Sequence, residues 1–256
     1  MAVLSQDEIG RYHDEGLVVP SDRIPLETVE AMREKATALL VERPDMSPDF
    51  IPGLVEVDSS WVEYARHPVI LDCVESVIGT DFLNWGSGFF GKPASHGLET
   101  PWHQDGEYWP IKPLATCTVW VALDPTTPEN GCMQFVPGSH KEKKLLPHDL
   151  SENDDKTLER SLRNTSFAEA NARDVLLEPG QLAIFDVYTI HGSRPNSSPH
   201  RRMGIAFRYM PTTSHFDFEL AEEQARELGR PGSSIRQLHL MRGTDRCGRN
   251  DFSRNK

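Results

Sequence analysis

Thr116-Cys-Thr-Val-Trp-Val-Ala-Leu123 is a short apolar run that reads as a strand, and four more of the kind surround it. Phe82-Leu-Asn-Trp-Gly-Ser-Gly-Phe-Phe90 precedes it. Met133-Gln-Phe-Val136, Gln181-Leu-Ala-Ile-Phe185 and Met203-Gly-Ile-Ala-Phe-Arg-Tyr-Met210 follow, the last alternating sides. Gly, Pro and Asn punctuate these runs. Before Phe82 the spacing is helical. Ser5 and Glu8 match a capping box, Ile9, Tyr12 and His13 fall on one face, and Gly16 stops the turn ahead of a short strand Leu17-Val18-Val19. Pro25 opens a second helix carrying Leu26, Val29, Met32, Ala36, Leu39 and Leu40, and a third covers Pro68 to Ile78, ended by Gly79. Helices first and short strands afterward predict a mainly β fold with flanking α, a double-sheet jelly roll with the N-terminal helices packed outside. The chain reads as a single domain over 1–256, with a helical part over about 1–80, a jelly-roll core over about 81–212 and a C-terminal extension over about 213–256.

Composition narrows the function. With 256 residues and a formal charge of -12, the overall field repels nucleic-acid backbones and anionic membranes, so neither is expected as a partner. Cys73, Cys117, Cys132 and Cys247 have no Cys-x-x-Cys spacing and read as buried reduced thiols. The N-terminus has neither the basic region nor the apolar run of a signal peptide, and no apolar stretch approaches the length of a membrane span. The expectation is a cytoplasmic monomer or homodimer acting on a small molecule.

Between the first two strands lies Pro101-Trp102-His103-Gln104-Asp105-Gly106. His-x-Asp puts an imidazole and a carboxylate on one face of an extended segment, a geometry that can grip a metal. The motif sits where strand passes into loop, a position that function favours. A second imidazole, His191 in Ile190-His191-Gly192-Ser193, completes a two-His, one-carboxylate face with positions left open for oxygen and a co-substrate on ferrous iron. Arg202, eleven residues beyond His191, supplies a rigid charged fork suited to a buried carboxylate.

These residues, together with Asp14-Glu15-Gly16, Thr118-Val-Trp120-Val-Ala-Leu, Glu129-Asn130-Gly131-Cys132-Met133, Pro137-Gly138-Ser139-His140 and Pro179-Gly180, resemble the phytanoyl-CoA dioxygenase family of iron(II)- and 2-oxoglutarate-dependent oxygenases. The resemblance implies a double-stranded β-helix with the metal inside one end. It implies Fe(II) held by His103, Asp105 and His191, 2-oxoglutarate held at its distal carboxylate by Arg202, O2 as oxidant, and Ser193, Trp120 and Thr118 lining the co-substrate pocket. Related halogenating enzymes carry a small residue where this chain has Asp105, so the resemblance implies hydroxylation, desaturation or ring closure instead.

Gln104, Glu107 and Trp109 are expected at the pocket mouth as substrate contacts. The substrate expectation is a small organic metabolite of natural-product type, with an alkylphosphonate or an acyl thioester as alternatives. A zinc hydrolase using the same three ligands and a non-catalytic jelly-roll binding protein stay open as other classes. The polar stretch 141–172 has few apolar anchors and is read as an excursion from the sheet, either a lid over the pocket or a disordered segment.

Overall fold

The computed structural model describes residues 4–150, 156–227 and 236–254. Its larger sheet has seven antiparallel strands. Leu17–Val18 borders Leu182–Asp186, followed in order by Cys117–Ala122, Arg202–Pro211, Phe82–Lys92 and His239–Arg242, while Phe50–Pro52 also pairs with Phe82–Lys92. The smaller sheet runs Arg173–Val175, Met133–Phe135, His191–Ser193, Thr100–His103, again antiparallel. This is the jelly roll that the strand pattern predicts.

The period of two in the strands sorts side chains between two cores. From Cys117–Ala122 and Leu182–Asp186, Val119, Val121, Leu182 and Ile184 face the helices and pack among Tyr12, Val29, Met32, Ile70 and Val74. Trp120, Ala122, Ala183 and Phe185 point the other way, toward Phe135 and Val175 of the smaller sheet. Both faces of the larger sheet are therefore buried, which is why its strands read as continuous apolar runs. Each large side chain so buried contributes roughly 1.5–3 kcal/mol.

The helices form as their end signals dictate. Gln6–Glu15 starts with the capping box: Ser5 Oγ accepts from the Glu8 N–H at 3.3 Å, and the Glu8 carboxylate accepts from the Ser5 N–H at 2.7 Å. It ends at Gly16, whose φ of 85° suits glycine. A Cβ there would stand 2.5 Å from both His140 Nδ1 and Thr189 Oγ1, so this turn also requires close approach. Tyr12 is buried as expected, but His13 faces solvent. Leu26–Glu42 takes Pro25 as its N-cap and buries Val29, Met32 and Ala36, leaving Leu26 57% exposed. Pro68–Ile78 has the predicted bounds, with Pro68 in its first turn and Gly79 at its C-cap.

Three expectations change. The C-terminal part is no mere extension, because His239–Arg242 adds a strand to the larger sheet beside Phe82–Lys92. Phe50–Pro52, from the nominally helical part, pairs with the same strand. The stretch 141–172 is not a bare excursion: its described residues include a hairpin, His148–Leu150 with Arg160–Leu162, and the helix Ser166–Asn171, while 151–155 lie outside the described residues. Among the described residues, no helix is long and apolar enough to cross a membrane.

Candidate metal and carboxylate site

His103 closes the strand Thr100–His103, and His191 opens the strand beside it, so the two residues stand directly opposite each other in the antiparallel ladder. Their rings lie 4.2 Å apart between centroids. Gln104 continues in extended conformation and Asp105 begins the short 3-10 turn Asp105–Tyr108, which swings its carboxylate back toward the imidazoles. The ligand atoms of His103, Asp105 and His191 all lie within 4.8 Å of one another, and all three residues are buried. His103 Nε2 stands 3.5 Å from Asp105 Oδ1.

Both imidazoles are oriented by the backbone. Nδ1 of His103 is 2.8 Å from the Pro101 carbonyl oxygen, and Nδ1 of His191 is 3.0 Å from that of Thr189. Each Nδ1–H can only donate there, which leaves Nε2 with its lone pair for a metal. Burial, then the neighbouring His103, holds the His191 pKa down at about 4, so this imidazole is neutral at physiological pH. For Asp105, burial by itself raises the carboxyl, but the adjoining His103 and the nearby His191 and Arg208 outweigh it and hold the value at about 2. Thr118 Oγ1 donates to Asp105 Oδ2 at 3.1 Å and fixes the carboxylate's far side. Two imidazole nitrogens and one carboxylate oxygen, converging with one side open, suit a divalent first-row ion.

Arg202 begins the strand Arg202–Pro211 and is 4% exposed. It lies in the larger sheet, whereas His191 lies in the smaller one. Its Nη2 donates to the Gly131 carbonyl at 2.7 Å, its Cζ lies 5.4 Å from the Trp120 ring centroid, and its buried Nε has no hydrogen-bond partner. Burial brings its pKa down to about 10, so it stays charged. The turn that presents Gly131 is locked by Asn130, whose Oδ1 accepts from the Thr127 N–H at 2.8 Å. A Cβ on Gly204 would fall 1.9 Å from the Trp120 ring, so only glycine lets that indole lie across the strand toward Arg202. A chamber joins the metal-binding face to Arg202, lined also by Thr118, Trp120 and Ser193.

Of the expected substrate contacts, Trp109 lines a wider outer cleft of 1080 Å³ that reaches His103 and Asp105. Gln104 and Glu107 line neither cavity. Gln104 is wholly buried and ties the metal-binding turn to its surroundings: its amide donates to the carbonyls of Lys144 and Tyr188 at 3.0 and 2.8 Å, and its Oε1 accepts from the Leu146 N–H at 2.7 Å. Glu107 pairs with Arg160 at 2.8 Å. In this structure both side chains hold the segment that carries the hairpin against the turn that begins at Asp105. His140 has a comparable task, with Nε2 3.0 Å from the His13 carbonyl beneath Gly16.

Two residues escaped sequence reasoning. Lys92 is 1% exposed, faces Arg202 in the ladder and has its pKa brought down to about 7 by burial and then by Arg202. No motif surrounds it. Arg208 lines both cavities, and its even spacing from Arg202 along one strand could have revealed it.

Comparison with known proteins agrees with this arrangement. The family model for phytanoyl-CoA dioxygenase (PhyH) matches residues 12–204. A probable phytanoyl-CoA dioxygenase of Caenorhabditis elegans is 31% identical over 160 residues, 59% of this chain and 51% of that protein. A probable alpha-ketoglutarate-dependent hypophosphite dioxygenase of Stutzerimonas stutzeri is 31% identical over 195 residues, 70% of this chain and 60% of that protein. The chain thus spans about half the length of the first of these relatives. The apo structure of the non-heme monooxygenase ThoJ superposes with a TM-score of 0.73 at 28% identity, covering 93% of this chain and 85% of that one. With the motif residues gathered in one chamber and the family model spanning most of the sequence, the chain belongs to the phytanoyl-CoA dioxygenase family.

Proposed function

We propose that the protein is an Fe(II)- and 2-oxoglutarate-dependent oxygenase that oxidises a small organic molecule, coupled to conversion of 2-oxoglutarate to succinate and CO2. The observation that carries this reading is the pairing, in one chamber, of a three-ligand face with a buried arginine whose Nε lacks a partner. A hydrolytic zinc site requires the first alone; an oxygenase that takes a dicarboxylate co-substrate requires both.

His103, Asp105 and His191 would hold the iron, which supplies the activation of O2 when bound. Arg202 would anchor the distal carboxylate of 2-oxoglutarate through its fork, aided by Ser193, with Trp120 and Thr118 forming the walls. The apolar chamber excludes water and so strengthens that charged contact. Thr118 keeps one oxygen of Asp105 engaged and thereby turns the other toward the ligand face. Trp109 walls the substrate approach. Hydroxylation, desaturation and ring closure all fit this arrangement, and a small metabolite of natural-product type is the proposed substrate class.

Purified chain loaded with ferrous iron, 2-oxoglutarate and O2 should form succinate, stimulated by a true substrate, and His103→Ala and His191→Ala should abolish this while keeping the folded circular-dichroism spectrum. Hydrolytic turnover with zinc and no succinate with iron would establish the other class.

A further inference from the structure

We propose that Arg208 anchors an oxyanion, a carboxylate or phosphoryl group, on the primary substrate, so that this enzyme takes anionic molecules. The inference rests on the oxygenase reading above and names the substrate class of that same site.

Arg202 and Arg208 lie six positions apart on Arg202–Pro211, and the strand's period of two turns both inward. Six residues of extended strand set their Cα atoms roughly 20 Å apart, and both side chains line the chamber. Arg202 occupies the inner end against Gly131. Arg208 sits where the inner chamber opens into the outer cleft, since both cavities include it together with His103, Asp105 and Phe90. An incoming substrate must pass it.

The surroundings of Arg208 hold it in place without satisfying it. Its Cζ lies 5.3 Å from the Trp109 ring and 5.9 Å from the Phe90 ring, a stack on two aromatic faces. Glycines clear the ground beside it: a Cβ at Gly88 would stand 3.4 Å from its Nη1, and one at Gly86 3.7 Å from its Cδ. Its Nε is buried with no hydrogen-bond partner, and among the described residues no carboxylate lies within salt-bridge distance. Asp105 attracts it electrostatically but belongs to the metal; Arg236 repels it and Glu56 attracts it.

Charge counting then decides the polarity of the ligand. A divalent ion, the Asp105 carboxylate, a dianionic co-substrate and the Arg202 guanidinium sum to zero formal charge. Lys92 has Asp49 and Glu99 acting on it favourably. Glu56 and Arg236, which both act on Arg208, are opposite in formal charge and cancel, so Arg208 is the cation left over in the loaded site. A partly buried guanidinium without a counter-ion is costly, and a planar oxyanion satisfies it with two parallel bonds. The aromatic wall beyond it, Trp109 against Trp85 at 4.6 Å and Trp85 near Phe216 at 6.0 Å, suits an apolar body attached to that group.

The test uses iron-loaded, oxygen-free protein with 2-oxoglutarate, titrated by tryptophan fluorescence with acid and neutral pairs: phenylacetate against phenylacetamide, hexanoate against hexanamide, phenyl phosphate against phenol. At least one acid should bind roughly tenfold or more tightly than its neutral partner. Carboxylates outbinding phosphates, or the reverse, identifies which oxyanion is meant. Arg208→Gln should erase the preference and weaken 2-oxoglutarate far less than Arg202→Ala does, read from its metal-to-ligand absorption band, while Arg208→Lys should restore part of the preference. The proposal is overturned if no acid outbinds its partner, if Arg208→Gln binds the acids as before, or if Arg208→Gln loses 2-oxoglutarate as fully as Arg202→Ala does. Failure of the unaltered protein to bind 2-oxoglutarate would instead sink the oxygenase reading, and this inference with it.

Discussion

Arg202 is held by one strong backbone bond and one aromatic face, and its unpartnered Nε waits for an acceptor. Arg202→Ala should therefore raise the apparent KM for 2-oxoglutarate about a hundredfold or more, the order expected when a buried charge loses its partner at roughly 3–5 kcal/mol. Arg202→Lys should recover only part, because an ammonium cannot reproduce the fork. A normal 2-oxoglutarate response in Arg202→Ala would remove the anchor from this position. His191 makes a second prediction, for the metal-free protein. Its folded pKa of about 4 lies below its ordinary 6.5, so between those values the unfolded chain binds the extra proton. Stability should be fully present above about pH 6.5 and fall as pH drops toward about 4, with Asp105, at about 2, adding a further loss below its ordinary value of 3.8. Urea melts across this window should show a shallower slope in His191→Gln; an identical slope would mean other groups govern it. The ligands and Arg202 were legible because residue type and spacing carry their chemistry. Gln104 was not, since Lys144, Leu146 and Tyr188, its partners, lie 40 or more positions away.

Strands whose faces are both buried announce themselves as apolar runs, and Cys117–Ala122, Leu182–Asp186 and Arg202–Pro211 were read directly for that reason. Phe50–Pro52 and His239–Arg242 are three and four residues long and exist through pairing with Phe82–Lys92, a dependence no local pattern encodes. The hairpin after residue 141 was hidden similarly, because its apolar anchors, Leu146, Leu162 and Ala168, are widely spaced in a polar run and pack against the distant Val136 and Ile190, while Gln104 and an Arg160–Glu107 pair hold the rest. The strand Arg202–Pro211 also carries a steric condition. Gly204→Ala would drive a methyl into the Trp120 indole, which closes one wall beside Arg202. Overpacking of this kind costs about 1–3 kcal/mol, so the melting temperature should drop and 2-oxoglutarate affinity should weaken together. Unchanged values of both would show that the indole has room to move aside.

At the scale of the whole molecule, two sheets and an outer set of helices bring residues from distant parts of the chain onto one chamber, and a chain of net charge -12 lines that chamber with two arginines, Arg202 and Arg208. The sequence pattern was enough to place helices outside and strands inside; it could not show which strands would be neighbours, since that depends on pairings across more than a hundred positions. Seen as a polymer, the chain gains something from His103 facing His191. An ion held by both would be a crosslink between points 88 positions apart (191 − 103). Tying such a loop in a random coil costs about 4 kcal/mol from the logarithm of its length, whereas the ladder has already tied it in the native state. The ion therefore distinguishes folded from unfolded chains almost absolutely, and a chelator should act as a mild denaturant. Stripping iron with EDTA should lower the melting temperature of the unaltered protein and leave that of His191→Ala unmoved. On this view the metal ledger of the cell helps set how long the protein survives as well as how fast it works.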